Sequence, residues 1–122
     1  MTQDELEEYL AGIGFRVEIA TGADEQAYAV VLGVPITTGG LCGKKCDVGI
    51  LRTESSPYVM ASAIQTRPAL VRMDSSEPLG TQPSPLGTEW QYWSRRYDHP
   101  PSPKRIWAHV LTILGDPRWE PA

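Results

Sequence analysis

The chain has 122 residues, 41% of them hydrophobic, and a formal net charge of -4, which suits one domain with a real core. This acidic balance gives no reason to expect a general attraction to nucleic acid or anionic membranes. Its apolar runs fall far short of the roughly 20 residues that span a bilayer, and its acidic start is not typical of a signal peptide. We therefore expect one cytoplasmic domain over 1–122, with 116–122 as a tail, and no membrane or nucleic-acid partner.

The N-terminal segment has the signals of a helix. Thr2 followed by Glu5 fits a capping box, in which the two side chains satisfy free donors at the helix start. Leu6 and Leu10 fall on one apolar stripe, and acidic residues occupy the first turn, where the helix dipole favours them. The sequence therefore predicts a helix over 3–12.

Alternating or continuously apolar segments then predict strands separated by turn residues. The four predicted strands are Phe15–Ile19, Gln26–Gly33, Cys46–Arg52 and Ala61–Thr66. Thr21 to Glu25 reads as a hairpin turn, and Pro68 is expected to stop ladder pairing after the last strand. Antiparallel neighbours joined by short turns favour a meander.

The segment from Met73 to Thr88 contains three prolines and two glycines. We expect a long irregular loop, which inside a compact domain is either functional or disordered.

The last predicted element is an amphipathic helix. Ser102 is a good N-cap, Pro103 suits the first helical position, and Gly115 ends the pattern. Ile106 and Val110 lie on its apolar stripe. The predicted fold class is α+β, with both helices on one face of a four-stranded antiparallel sheet.

Tryptophan and arginine are concentrated just before that helix. Trp90, Trp93, Arg95 and Arg96 form this group, and they are our candidate partner-binding residues. The arginines could hold a partner's carboxylate or backbone, or they could stack on the indole rings as cation–π pairs. Both interpretations stay open at this point.

The order of elements and the run Trp90-Gln-Tyr-Trp-Ser-Arg-Arg, followed by prolines and an amphipathic helix, resemble the ubiquitin-conjugating (E2, or UBC-like) superfamily. The Pro57-Tyr58 turn after short strands adds to the likeness. Within that superfamily the chain looks like prokaryotic family E, whose members carry a similar Trp-Ser-Arg segment. The resemblance covers nearly the whole chain, but its specific part is confined to 90–96.

This resemblance implies a UBC-like fold and a place in a bacterial ubiquitin-like conjugation pathway. The implied partners are an E1-like activating enzyme, which E2 proteins commonly meet through their first helix, and a ubiquitin-like modifier. Several such pathways serve antiphage defence. An E2 enzyme accepts the modifier on a cysteine thiolate and needs no cofactor, but it does need an exposed thiol of controlled pKa.

The sequence departs from that pattern at the catalytic position. No cysteine lies between Met73 and Glu89, where the family keeps its nucleophile. The His-Pro-Asn motif is also missing, and Arg67-Pro68-Ala69 keeps only its proline. The chain could be a non-catalytic adaptor, its cysteine could have been replaced (for instance at Ser84), or the nucleophile could come from elsewhere. Whether it is an E2-type transferase or an adaptor is left open.

Cys42 and Cys46 offer a third kind of function, a small redox or metal protein. Zinc needs four ligands, and only His99 and His109 could complete the set, so we expect two reduced thiols and no metal site. Neighbouring Lys44 would lower the pKa of a thiol.

The two histidines have different prospects. His99, beside a proline in the loop after the arginines, is the better catalytic or pH-sensitive candidate of the two, although a role in the structure of the loop is the more common one for such a residue. His109 is expected to be a packed or surface residue of the last helix.

Overall fold

Along the chain, one helix comes first, the six strands of a single antiparallel sheet follow, and a second helix comes last. The computed structural model describes residues 2–52, 63–95 and 102–122. The elements are α1 (Gln3–Gly12), β1 (Val17–Thr21), β2 (Ala27–Pro35), β3 (Lys45–Leu51), β4 (Ala63–Arg67), β5 (Thr81–Ser84), β6 (Gly87–Ser94) and α2 (Pro103–Leu114). The strands are arranged in the order β1-β2-β3-β4-β6-β5. The α+β class is confirmed.

Both helices begin where their sequence signals place them. The Thr2 hydroxyl accepts a hydrogen bond from the Glu5 amide at 3.2 Å, and the Ser102 hydroxyl accepts one from the Arg105 amide at 3.2 Å. Each cap satisfies a helix donor that has no partner inside the helix. The predicted helices at the two ends of the chain are confirmed.

The core lies between the helices and one face of the sheet. Most of its buried side chains come from α1, α2 and that sheet face, among them Leu6, Leu10, Val48, Ile64, Trp93, Ile106 and Val110. An edge-on contact between the rings of Phe15 and Trp107, with centroids 5.2 Å apart, closes one side of the core. The two helices therefore cover the same face, as the apolar stripes predict.

The prediction of only four strands is wrong. The Pro/Gly-rich segment, predicted as one long loop, contains β5 and the start of β6, and β6 pairs with β4. Pro83 fits because β5 is an edge strand, where a missing N–H costs little. Gly80, just before β5, and Gly87, just after the β5–β6 turn, have positive φ angles of 55° and 141°, which glycine adopts without strain. Apart from the two-residue turn at 85–86, the irregular backbone of this segment is thus limited to the part before β5.

The turn of the β5–β6 hairpin folds over the second face of the sheet. The Ser84 hydroxyl donates to the Gln65 side-chain oxygen at 2.6 Å, and the Ala23 amide donates to the Pro85 carbonyl at 2.7 Å. Leu86 lies so close to Gly49 that an added Cβ there would sit 2.8 Å from its Cδ1. Because the hairpin covers this face, β4 is buried on both sides.

The C-terminal tail is packed against the domain. Trp119 is 3% exposed, and its indole N–H donates to the Ile113 carbonyl. The loop between β2 and β3 lies under this tail, where the Gly40 amide donates to the Asp116 carbonyl at 3.3 Å. The predicted tail at 116–122 therefore contributes a side chain to the core.

The Pro57-Tyr58 turn and the predicted start of the fourth strand at Ala61 lie outside the described residues. Neither described helix combines the length and the apolar character needed to cross a membrane.

Candidate functional site

Strand β6 distributes the predicted partner-binding residues over two faces of the sheet. Side chains alternate along a strand, so Trp93 and Arg95 point to the helix side and Trp90 points to the other side. Trp90 lies under the Arg67 guanidinium, whose centre is 4.7 Å from the ring. That guanidinium in turn donates to Asp47 at 2.7 and 2.9 Å. The structure brings Trp93 and Arg95 together and separates Trp90 from them.

Trp93 is a core residue. Its exposed fraction is 0%, and its indole N–H donates to the Thr66 hydroxyl at 3.0 Å. Trp90 is also buried, with an exposed fraction of 6%. Side chains this inaccessible offer a partner almost no surface, although the predicted contact itself stays a prediction. Arg96 and His99, the other two candidates, lie outside the described residues.

Arg95 is the predicted residue with the most unusual surroundings. Its guanidinium lies 5.5 Å from the Trp93 ring centre and 5.2 Å from that of Trp119. It also donates to the Leu79 carbonyl at 3.0 Å. Partial burial lowers the pKa of this guanidinium, while the charge of Glu77 acts in the opposite direction. The stacking interpretation of Arg95 is therefore realised, and a hydrogen bond ties it to the segment before β5.

A groove of about 300 Å³ lies beside Leu79 and Trp119, the residues that contact Arg95. Its walls come from the segment between β4 and β5 and from the C-terminal tail, and include Val71, Pro78, Leu79, Trp119 and Pro121. Arg72 and Arg118, whose side chains are largely exposed, also line it. Each of these arginines already has a carboxylate, Asp74 at 3.4 Å and Asp116 at 2.8 Å. The groove is thus lined mainly by apolar side chains, with two ion-paired arginines among its lining residues.

In the C-terminal tail, the ion pair between Arg118 and Asp116 shifts the pKa of the aspartate. Hydrogen bonds from the Arg118 side chain lower the pKa of Asp116. The Arg118 guanidinium lies 5.3 Å from the Trp119 ring centre. The cation of this pair therefore also covers the buried indole, which helps to hold the tail in place.

Gln91 fixes the wall of the groove, and sequence reasoning missed it. Its side-chain oxygen accepts from the amides of Leu70 and Val71 at 2.9 and 3.3 Å, and its amide N–H donates to the Val71 carbonyl at 2.7 Å. The side chain is fully buried. Its place inside a tryptophan-rich strand, on the same face as Trp93, was the one available signal.

The two cysteines occupy different environments. Cys46 is on β3, is 3% exposed, and belongs to the core. Burial, helped by the charge of Asp47, raises the pKa of its thiol to about 12. Cys42 is exposed in the loop between β2 and β3, where its thiol donates to the Thr37 carbonyl at 3.3 Å. Both thiols are free.

Across residues 2–52, 63–95 and 102–122, no group of three or more His, Cys, Asp or Glu side chains is arranged to hold a metal ion. His109 lies half-buried on α2. The described part of the chain therefore offers no ready-made metal centre around the cysteines.

Comparisons with protein-family models, with curated proteins and with solved structures find no match to this chain.

Proposed function

We propose that this chain is an E2-like binding protein of a ubiquitin-like conjugation pathway, which binds the E1-like enzyme or the modifier without forming a thioester. The order of elements supports the proposal. An N-terminal helix precedes four strands that are consecutive neighbours in the sheet, and a helix closes the chain. The resemblance of the 90–96 run to the family adds the UBC-like assignment and the partners.

The observation that carries the non-catalytic part is the position of the thiols. A transthiolating cysteine must reach the E1 thioester as a thiolate. Cys46 is enclosed in the core with a thiol pKa of about 12, so at neutral pH it is neither accessible nor ionised. The region that holds the nucleophile in the family has no cysteine between Met73 and Glu89. Binding therefore fits the chain better than transfer.

A carrier function is the second candidate, and exposed Cys42 is the observation that favours it. Lys44 in the same loop and Lys45 at the start of β3 are also exposed, and both could assist the approach of a carbonyl group. A carrier would give a thiol-sensitive adduct with the modifier, whereas an adaptor gives none.

Binding is tested by co-elution of the purified chain with an E1-like enzyme and a ubiquitin-like modifier from the same organism. We expect a complex with at least one of them on gel filtration. If the folded chain forms a complex with neither of them, the proposal is contradicted.

The resemblance also assigns the E1 contact to α1, and a charge reversal tests this. Glu8 is exposed on α1, so Glu8→Lys should weaken a complex with the E1-like enzyme about three- to tenfold and reduce its salt dependence. Glu89→Lys makes the same change at an exposed position of β6 and serves as the matched control. Equal affinities of the two variants would exclude α1 from the contact. Isothermal calorimetry at two salt concentrations gives the comparison.

A further inference from the structure

The two edges of the sheet are built differently. At the β5 edge, Pro83 lacks a donor and the register shifts between Pro83 and Ser84. Both features are common protections against pairing with another chain. The β1 edge, Val17–Thr21, has neither proline nor lysine, and its pairing with β2 runs without a shift. It also carries Ile19, which is 54% exposed.

The hydrogen-bonding direction of β1 follows from its neighbours. The Leu32 amide donates to the Arg16 carbonyl at 3.0 Å, and the Gly22 amide donates to the Gln26 carbonyl at 2.9 Å. Even-numbered positions therefore point their backbone groups toward β2. Because backbone groups alternate along an antiparallel strand, Val17 and Ile19 point theirs outward. Within the described residues β1 is the last strand at this edge of the sheet.

We propose that a second copy of this chain binds here, with the two β1 strands antiparallel and the twofold axis at Val17. Val17 then lies opposite Val17 of the second copy, with both exchanging their outward N–H and C=O groups. Ile19 of the second copy lies opposite Phe15. The Phe15 amide already donates to the Leu10 carbonyl at 3.1 Å, so that pair keeps one bond, from the Ile19 amide to the Phe15 carbonyl.

Charge complementarity selects this register. With the axis at Val17, Arg16 lies directly opposite Glu18 of the second copy, and the pair occurs twice by symmetry. With the axis at Glu18, two carboxylates would face each other. With the axis at Ile19, Glu18 would face Ala20 and gain no cation.

The charged pair is free to change partners. Within one copy Arg16 and Glu18 are 3.1 Å apart, with side chains 78% and 49% exposed. Such a surface pair has little net energy of its own, so exchange for the equivalent pair across the interface costs little. On the opposite side of the strand, Phe15, Val17 and Ile19 would form a continuous apolar row across the two copies. The two six-stranded sheets thereby become one continuous sheet.

Sedimentation of the intact chain over a wide concentration range tests the proposal. We expect a monomer–dimer equilibrium. Glu18→Arg and Arg16→Glu each place like charges opposite one another, and each should raise the dimer dissociation constant about tenfold. The double swap Arg16→Glu with Glu18→Arg restores complementarity and should restore the wild-type constant. A chain that is monomeric at every concentration, or a double swap as weak as the single variants, overturns the proposal.

Two more variants test the edge and the register. Ile19→Lys adds the kind of charge that protects natural edge strands, and it should abolish the dimer. Its far-ultraviolet circular dichroism and monomer melting temperature should match those of the wild type, because the replaced side chain is exposed and its amide points outward. In a Cys42→Ser background, Val17→Cys should give a disulfide-linked dimer under mild oxidation, and Ile19→Cys should not. The reverse result contradicts an axis at Val17, and a dimer that survives Ile19→Lys contradicts the edge.

Discussion

Gln91 shows how one side chain can hold a segment that has no regular structure of its own. Its amide makes three hydrogen bonds to the backbone of Leu70 and Val71. These residues lie just after β4, where the chain leaves the sheet and begins the wall of the groove. A buried backbone group without a hydrogen-bond partner is costly. The glutamine side chain supplies the hydrogen bonds that a neighbouring strand would otherwise provide.

Replacing Gln91 with leucine should therefore be strongly destabilising. The change leaves the Leu70 and Val71 amides and the Val71 carbonyl without their side-chain partner, and we expect a loss of about 2–4 kcal/mol in the free energy of unfolding. Urea denaturation of the variant measures the loss. Gln82→Leu makes the same chemical change at an exposed position of β5 and should stay within about 0.5 kcal/mol of the wild type. Equal losses in the two variants would show that the Gln91 contacts do not matter.

Cys46 gives the stability of the domain a dependence on alkaline pH. Burial raises the pKa of its thiol from 9.0 to about 12 in the folded state. Above about pH 9 the unfolded chain gives up this proton while the folded chain keeps it. The stabilisation is therefore complete below that pH and is lost as the pH rises toward 12, with a slope of up to about 1.4 kcal/mol per pH unit from this group.

The measurement compares the wild type with Cys46→Val by denaturation at several pH values. The variant keeps Tyr28, whose pKa is also raised by burial and by its hydrogen bond to Asp24, so that contribution cancels in the difference. We expect the wild type to lose stability more steeply than the variant above pH 9. Parallel curves would mean that Cys46 ionises as easily in the folded state as in the unfolded one.

At the scale of elements, the loop between β2 and β3 and the C-terminal tail form one packed unit. An added Cβ at Gly40 would collide with the Trp119 carbonyl, and one at Gly39 would collide with the Gly115 carbonyl. The tail can reach the core only because these two positions carry no side chain. The buried indole of Trp119 then meets Trp93 edge-on at 5.6 Å.

Gly40→Ala should consequently push the tail away. We expect the free energy of unfolding to fall by about 1–3 kcal/mol or more. We also expect Trp119 to become more accessible to a soluble fluorescence quencher. Gly12→Ala is the control, since an added Cβ there meets nothing within 4 Å and alanine favours the helix. That control should be neutral or slightly stabilising. A folded Gly40→Ala protein with native stability and unchanged quenching would contradict the packing of the tail.

The elements that sequence could predict are those specified by local signals. The caps at Thr2 and Ser102 act within one helical turn, and both helices were therefore placed correctly. The β5–β6 hairpin was missed because Pro83 and the flanking glycines are loop residues by local statistics. Only the position of β5 at the edge of the sheet makes them acceptable in a strand.

The site was predictable to a smaller degree. The spacing of Trp93 and Arg95 places both on one face of a strand, but no strand was predicted over 90–96, so their proximity was not predicted. The separation of Trp90 follows from the same alternation once a strand is assigned. In contrast, the stacking of Trp119 on Arg95 and the support given by Gln91 join segments far apart in the chain, which a single sequence does not specify.

At the scale of the whole molecule, the features that suit binding a partner are separate from those that thioester chemistry would need. The helices and the sheet can present surfaces to the E1-like enzyme or the modifier that the resemblance implies. The only thiol on β3 is inside the core, and the segment that would hold a catalytic cysteine in the family contains none. The function we propose is therefore binding of an E1-like enzyme or of the modifier, with no thioester formed on this chain.

A charging reaction followed by intact-mass spectrometry tests this claim most directly. The chain is mixed with the E1-like enzyme, ATP and the modifier, and its mass is measured with and without a reducing thiol. The account predicts an unchanged mass for the wild type and for Cys42→Ser, under conditions in which the E1-like enzyme itself is charged. A thiol-sensitive adduct on the wild type that disappears in Cys42→Ser would contradict the account and establish a carrier.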